Sequence, residues 1–423
     1  MGYWDQAGPG ATNLRLFEPG VGWRQHDDVV DGQGATSFSG SCRPIELVLN
    51  TALNASNLVL LTGAGASFGA QNSVDKLGAP GMSDLWDAVE AAATPEKMAT
   101  VIAKIPNAKD LGKNVEKLLT LCKLYVALFG QNDGKEIETF VKDAEKAILS
   151  RVDFVDSSTN IESHKSLLRK IARRGYRKPR TKIFTTNYDL CFEFAAQQQQ
   201  FVLIDGFSHS IPQIYDRAHF SYDIVRREAG REAPDYIENV FHLYKLHGSL
   251  DWRRKGVTIT RSRQLSDGDP VLVYPRDSKY QEAFDAPYLD MMAALQSALR
   301  EPDTALIVSG FGFNDDHISK PIMAAIEANM SLTVLVCDVA FLDSALLEKG
   351  DAIIAPDAAA GVRGAYFKQF QKLVSVGDRR ITLLNGRFQD LASAIPDLVA
   401  QTERERHADR MQRLREMPRE GAG

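Results

Sequence analysis

The chain is poor in cysteine. Its four thiols, Cys42, Cys122, Cys191 and Cys337, lie far apart with no CxxC pair. That spacing excludes the usual zinc module and argues against a disulfide framework, so a reducing cytoplasm is the expected setting. No stretch approaches the roughly 18–20 apolar residues that span a bilayer, and no basic segment precedes an apolar core at the N-terminus. No membrane association is expected. Neither sign of charge dominates: 25% of the 423 residues are charged and the net charge is −5, which gives no global reason for a nucleic-acid or membrane partner. No Gly-Lys-Ser/Thr closes a glycine-rich loop, so Walker-type ATP binding is excluded. A covalent-nucleophile motif is also missing.

What is present begins at residues 58–69, LVLLTGAGASFG, where an apolar run meets a small-residue loop that opens a helix. Gly63, Gly65 and Gly69 let backbone N–H groups approach a phosphate at a helix N-terminus. Packing alone also produces such turns. A dehydrogenase would need a second strand ending in an acid about 20 residues on. The sequence NSVDKLGAPGMSDLWDAVEAA supplies a loop and a helix instead.

Four further apolar runs, TKIFTTNYD, HLYKLHGS, TALIVSGFGFNDDH and LTVLVCD, each end in a polar cluster and alternate with helical segments. That pattern predicts an α/β fold with a doubly wound, Rossmann-like parallel sheet carrying a large helical insertion. The expected organisation is an irregular N-terminal arm over 1–42, the sheet domain over 43–82 and 177–400, the insertion over 83–176 and a charged, helical tail over 401–423. Ser83 is the expected N-cap of SDLWDAVEAA. The next helix should bury Val115, Leu118, Leu119, Cys122, Tyr125, Val126 and Phe129 on one face and stop at Gly130. Two more helices are expected in the insertion, at GKEIETFVKDAEKAILSRV and NIESHKSLLRKIARRG. Residues 205–234 and 253–302 read as longer insertions.

In parallel sheets ligands collect beyond the carboxyl ends of the strands, where all these polar clusters fall. Asn187 and Asp189 form a polar clamp or, alternatively, an Asx-turn capping the following helix. His247, before Gly248, has the chemistry of a general base near neutral pH, or is a packed structural histidine. His242 and His317 are weaker candidates. Gly310 and Gly312 permit close ligand approach, while Asp315 and Asp316 read as helix N-capping acids. Asp338 is either a ribose-binding carboxylate or an ordinary loop acid. The run 169–182, RKIARRGYRKPRTK, carries eight basic residues and no acid. It reads as a solvated helix end, with nucleic-acid contact through a complex as the alternative.

Taken together, Gly63–Ser67, Thr185–Asp189, His247–Gly248 and Gly310–His317 resemble the sirtuin family, and more closely its bacterial sirtuin-like branch of anti-phage NAD hydrolases. The resemblance spans roughly residues 45–395. It implies NAD as substrate, held by Gly63, Ala64, Gly65, Ser67, Phe68, Thr186, Gly310, Phe311, Gly312, Asn314 and Asp338. It further implies Asn187, Asp189 and His247 as catalytic groups, Asn187 positioning water or ribose and His247 acting through the ribose hydroxyls or on water. No zinc is expected, because the family deacylases' four-cysteine module has no counterpart. Gly310-Phe311-Gly312 also stands where those deacylases carry Gly-Thr-Ser. The expected activity is cleavage of the nicotinamide–ribose bond. A protein deacylase and a silent NAD or ADP-ribose-binding regulator of an ATPase are the alternatives. Relatives of this kind form homo-oligomers, and some pair with a HerA-type ATPase. The chain carries no fused sensor, so a separate partner is expected.

Overall fold

The computed structural model describes residue 4 and residues 13–74, 76–106, 108, 111–175, 178–227, 235–272, 286–361 and 364–397. The expected tail over 401–423 lies outside the described residues.

Seven strands form a parallel sheet in the spatial order Ile381–Asn385, Thr333–Cys337, Thr304–Ser309, Asn57–Thr62, Lys182–Thr185, Val240–Lys245, Val202–Ile204. From Asn57–Thr62 the chain first builds outward through Lys182–Thr185, then returns to lay Thr304–Ser309 on the other side. The order therefore reverses between Asn57–Thr62 and Thr304–Ser309, and their carboxyl ends open a crevice.

Side chains alternate across the sheet because the strand period is two. On one face Val59, Leu61, Leu306, Val308, Val334 and Val336 pack against the helices Tyr288–Arg300, Asp316–Ala328 and Ala365–Ser375. On the other, Leu58, Leu60, Ala305, Ile307 and Leu335 pack against Cys42–Asn54, Glu162–Ala172, Cys191–Gln198 and Phe388–Ala394. Burial on both faces explains why these strands read as uninterrupted apolar runs.

The helices Met82–Ala93, Pro95–Lys104 and Val115–Val152 share a third core, joined by Tyr188, Leu190, Leu250 and Leu272. Several expectations change here. Gly81, not Ser83, precedes the first helix, and the Asp84 carboxylate accepts from the Gly81 N–H at 2.7 Å. Gly130, at φ 68° and ψ −164°, breaks helical geometry, but the helix resumes beyond it to Val152. Tyr125 and Val126 are only half-buried and Phe129 is exposed, as is Leu128 beside it, so the buried face ends near Cys122. Glu162–Ala172 packs on the sheet through Leu167, Leu168 and Ile171 rather than on the other helices of 83–176.

The N-terminal arm is not irregular throughout. Arg15–Glu18 and Gly22–Gln25 form an antiparallel hairpin, with Arg15 opposite Asn385, that extends the sheet past Ile381–Asn385. Ile353–Ile354 closes that edge. Within the later insertions, Gly248–Lys255 pairs with Thr258–Arg261 and Asp269–Leu272 in a small antiparallel sheet. Among the described residues no helix is long and apolar enough to cross a membrane.

Candidate functional site

A cavity of about 660 Å³ opens at the crevice between the Asn57–Thr62 and Thr304–Ser309 strands. That volume suits a small-molecule ligand. Two loops form its floor. Gly65 N–H donates to the Gly310 carbonyl at 3.0 Å, and a Cβ at Gly65 would stand 2.7 Å from the Gly310 Cα. Gly310 itself has φ +68°, which favours glycine. Gly65 therefore serves the contact between the loops and does not line the cavity, whereas Gly63, Ala64, Ser67, Phe68, Gly310, Phe311, Gly312 and Asn314 do.

Asn187 reaches this floor from the next strand. Its Nδ2 donates to the Gly63 carbonyl at 3.0 Å and to Ser67 Oγ at 2.9 Å. A carbonyl can only accept, so the amide orientation is fixed and Oδ1 is left as an acceptor toward the cavity. The loop carrying Asn187 is held from behind. Buried Lys245 donates to the carbonyls of Tyr188 and Asp189 and to Glu193 Oε1. Thr186 and Asp189 also line the cavity, but Asp189 Oδ1 accepts from the Cys191 N–H at 3.0 Å. For Asp189 the Asx-turn is realised; for Asn187 it is not.

His247 follows the Val240–Lys245 strand and lines the same cavity. Its Nε2 lies 3.1 Å from the Nε2 of His317, in the first turn of the Asp316–Ala328 helix. At that distance one nitrogen donates and the other accepts, so the pair is not doubly protonated. Burial lowers His247 to about 3, and burial together with His247 lowers His317 to about 4. Asp315 stands beside His317. Burial raises its carboxyl above the ordinary range and the imidazole opposes that rise. Asp315 holds the N-cap position as expected, but its side chain makes no capping hydrogen bond and lines the cavity. Asp316 instead accepts from the Tyr366 hydroxyl and pairs with Lys320.

Other expectations fall away from the cavity. Asp338 accepts from the Ala340 N–H at 2.8 Å and does not line the site. His242 lies beside Tyr244 and Phe220 rather than in the site. The basic run is largely taken up within the fold. Arg174 donates to the carbonyls of Leu53, Ala55 and Ser56, Lys178 to those of Asn54 and Ala55, and Lys170 to those of Ala392 and Ser393. Arg180 is paired with Asp223. These cations complete helix C-termini and loops, so four of the run's basic groups serve the fold. Among the described residues no group of three or more His, Cys, Asp or Glu is arranged to hold a metal.

The insertion contributes a wall that the sequence did not announce. Asn114, Glu116, Lys117 and Thr120 line the cavity from the first turns of Val115–Val152. Tyr188 Oη donates to Glu116 Oε1 at 2.8 Å. Burial raises the Glu116 carboxyl to about 8, despite that hydrogen bond, and Asp315 adds to the rise. The available signal for His317 and Asp315 was their position after a glycine loop at a strand end. For Glu116 there was none, because nothing local marks which polar helix position meets a distant loop.

A search of curated proteins returns no match. Solved structures align broadly at low similarity. A mutant Sir2 homologue in complex with ADP ribose matches at 15% identity and TM-score 0.33, covering 78% of this chain and 94% of its own. A second mutant homologue with ADP ribose gives 16%, 0.31, 78% and 98%. A structure addressing the mechanism and regulation of Sir2 enzymes gives 9%, 0.35, 88% and 99%. The family model described as SIR2-like domain matches residues 181–351, the stretch that carries Asn187, His247, the Gly310 loop and His317.

Proposed function

We propose that the chain is an NAD glycohydrolase that cleaves the nicotinamide–ribose bond to give nicotinamide and ADP-ribose. One observation carries this reading: Asn187 and His247, from different strands, converge with the Gly63–Ser67 loop on one cavity. The small residues of the Gly63–Ser67 loop suit close approach of the diphosphate to the cavity lining. The reaction breaks the C1′–N bond with its electron pair leaving on nicotinamide, joins a water oxygen to C1′ and releases one proton. Its demands are to stabilise an oxocarbenium-like ribose and to orient the water. Asn187 Oδ1 is suited to accept from that water or a ribose hydroxyl. His247, kept neutral by burial, accepts a hydrogen bond from the water or a ribose hydroxyl, and the released proton passes to solvent by way of His317, which is within hydrogen-bond reach and stands beside Asp315.

The wider reading is an anti-phage effector that depletes cytoplasmic NAD. It acts as a homo-oligomer that has low activity alone and is activated by a separate partner, for which a HerA-type ATPase is the first choice to test. The first experiment incubates the purified chain with NAD, alone, with its genomic neighbour and with an acyl-lysine peptide, and measures free nicotinamide. Release without peptide, rising with the partner, is expected. Asn187→Ala and His247→Ala should each lower that release by roughly 100-fold or more with the fold intact. Release only with peptide identifies a deacylase, and binding without product identifies a silent regulator. Parental rates in His247→Ala refute the role given to that histidine.

A further inference from the structure

The helical insertion brings two groups into the cavity that the proposed chemistry does not use. Glu116 and Thr120 lie one turn apart on Val115–Val152 and both line the site. Thr120 is 6% exposed, and its Oγ1 has no hydrogen-bond partner. A buried hydroxyl without a partner is costly, so a cavity group supplied by a ligand is the natural complement. Glu116 is tied at one oxygen only, by Tyr188 at 2.8 Å. Its neighbour in charge is Asp315, which stands with His317 at the His247 end of the cavity. Lys117, also on the cavity, is exposed on the same turn.

From this arrangement we infer that Glu116, seconded by Thr120, is the receptor for the primary carboxamide of nicotinamide. The inference rests on the NAD reading and deepens it. A neutral carboxyl and a primary carboxamide are complementary, since each offers one donor and one acceptor in a plane and the two close a ring of two hydrogen bonds. Tyr188 donates to Oε1, which makes Oε1 the carbonyl-like oxygen and leaves the proton on Oε2. Oε2–H then donates to the carboxamide oxygen, and the second lone pair of Oε1 accepts one amide N–H. Thr120 Oγ1 is the remaining acceptor for the other N–H. Glu116 is half-buried, and desolvation raises its carboxyl to about 8, the direction this pairing requires. The insertion is then part of substrate recognition at the leaving group.

The test uses the full chain and two ligands, measured by calorimetry. One is a carbocyclic NAD analogue, which keeps nicotinamide and cannot be hydrolysed through an oxocarbenium. The other is ADP-ribose, which lacks nicotinamide. Glu116→Ala should weaken the analogue by about 10-fold or more, the loss expected for two neutral hydrogen bonds, and leave ADP-ribose within about twofold. Unchanged ADP-ribose binding also reports an intact fold. Glu116→Gln can form the same two-bond ring, so it should retain the analogue within about threefold of parent. Equal weakening of both ligands by Glu116→Ala, or no effect on either, overturns the inference. So does a Glu116→Gln protein as weak as Glu116→Ala, which would mean that a carboxylate is needed against the pyridinium charge. If the parent binds neither ligand, the NAD reading itself fails.

Discussion

Gly65→Ala tests whether the contact between the two glycine loops builds the site. The added Cβ meets backbone only: Gly310 Cα at 2.7 Å, its oxygen at 3.1 Å and its carbonyl carbon at 3.3 Å. Ordinary contact begins near 3.4 Å, so the loops must part by roughly 0.7 Å, an overpacking that costs about 1–3 kcal/mol. The 3.0 Å bond from Gly65 N–H to the Gly310 carbonyl stretches with it, adding about 1 kcal/mol. Lost backbone freedom in the unfolded chain offsets this by only about 0.4–1 kcal/mol, because Gly65 sits at an ordinary helical angle. The net expectation is destabilisation by about 1–3 kcal/mol. The displaced floor should also lower NAD affinity by roughly 10-fold. Gly69→Ala is the control. Its nearest neighbour is Gln389 Oε1 at 2.9 Å, the free end of a flexible side chain, so both quantities should stay near parent. Urea unfolding with a constant slope and calorimetric binding measure the two effects. A Gly65→Ala protein with parental midpoint and affinity would refute the claim that this loop contact sets the site.

Two further predictions concern the frame around it. His164 is 1% exposed between Phe192 and Phe388, and burial lowers it to about 4. The unfolded chain takes up this proton near pH 6.5 and the folded one only near 4. Stability from this site is therefore full above 6.5 and is lost as pH falls toward 4, by up to about 3 kcal/mol. His164→Leu should flatten that acid limb of the unfolding free energy; an unchanged slope between pH 6.5 and 4 argues against it. Arg174→Ala leaves the carbonyls of Leu53, Ala55 and Ser56 without their buried donor and should cost about 2–4 kcal/mol in urea unfolding. A loss within about 0.5 kcal/mol would show that water replaces the guanidinium.

The parallel strands were legible because each is buried on both faces and reads as a short unbroken apolar run. The glycine loops and Asn187 were legible because each directly follows such a run. His247 was read as a candidate, but its partner His317 was set aside. Short-range capping logic explains an Asp-Asp-His start to a helix well enough to hide a contact made across the cavity. Glu116 belongs to an amphipathic helix whose polar positions look alike until the helix is docked. RLFE and GWRQ were missed as strands for a related reason. Each has four residues with a charge among them, and their extended state is selected by pairing with each other and with Ile381–Asn385. Part of that information lies in a partner hundreds of positions away.

The hairpin has a consequence for synthesis. The strand that receives Arg15–Glu18 leaves the ribosome hundreds of residues after it, with Arg15 set against Asn385. Until then Arg15–Glu18 lacks its inner neighbour, and the growing sheet keeps an unsealed apolar flank at Thr333–Cys337, a template for wrong pairing. Folding of this region must therefore wait until Ile381–Asn385 has been made, which makes it slow and dependent on protection of the nascent chain.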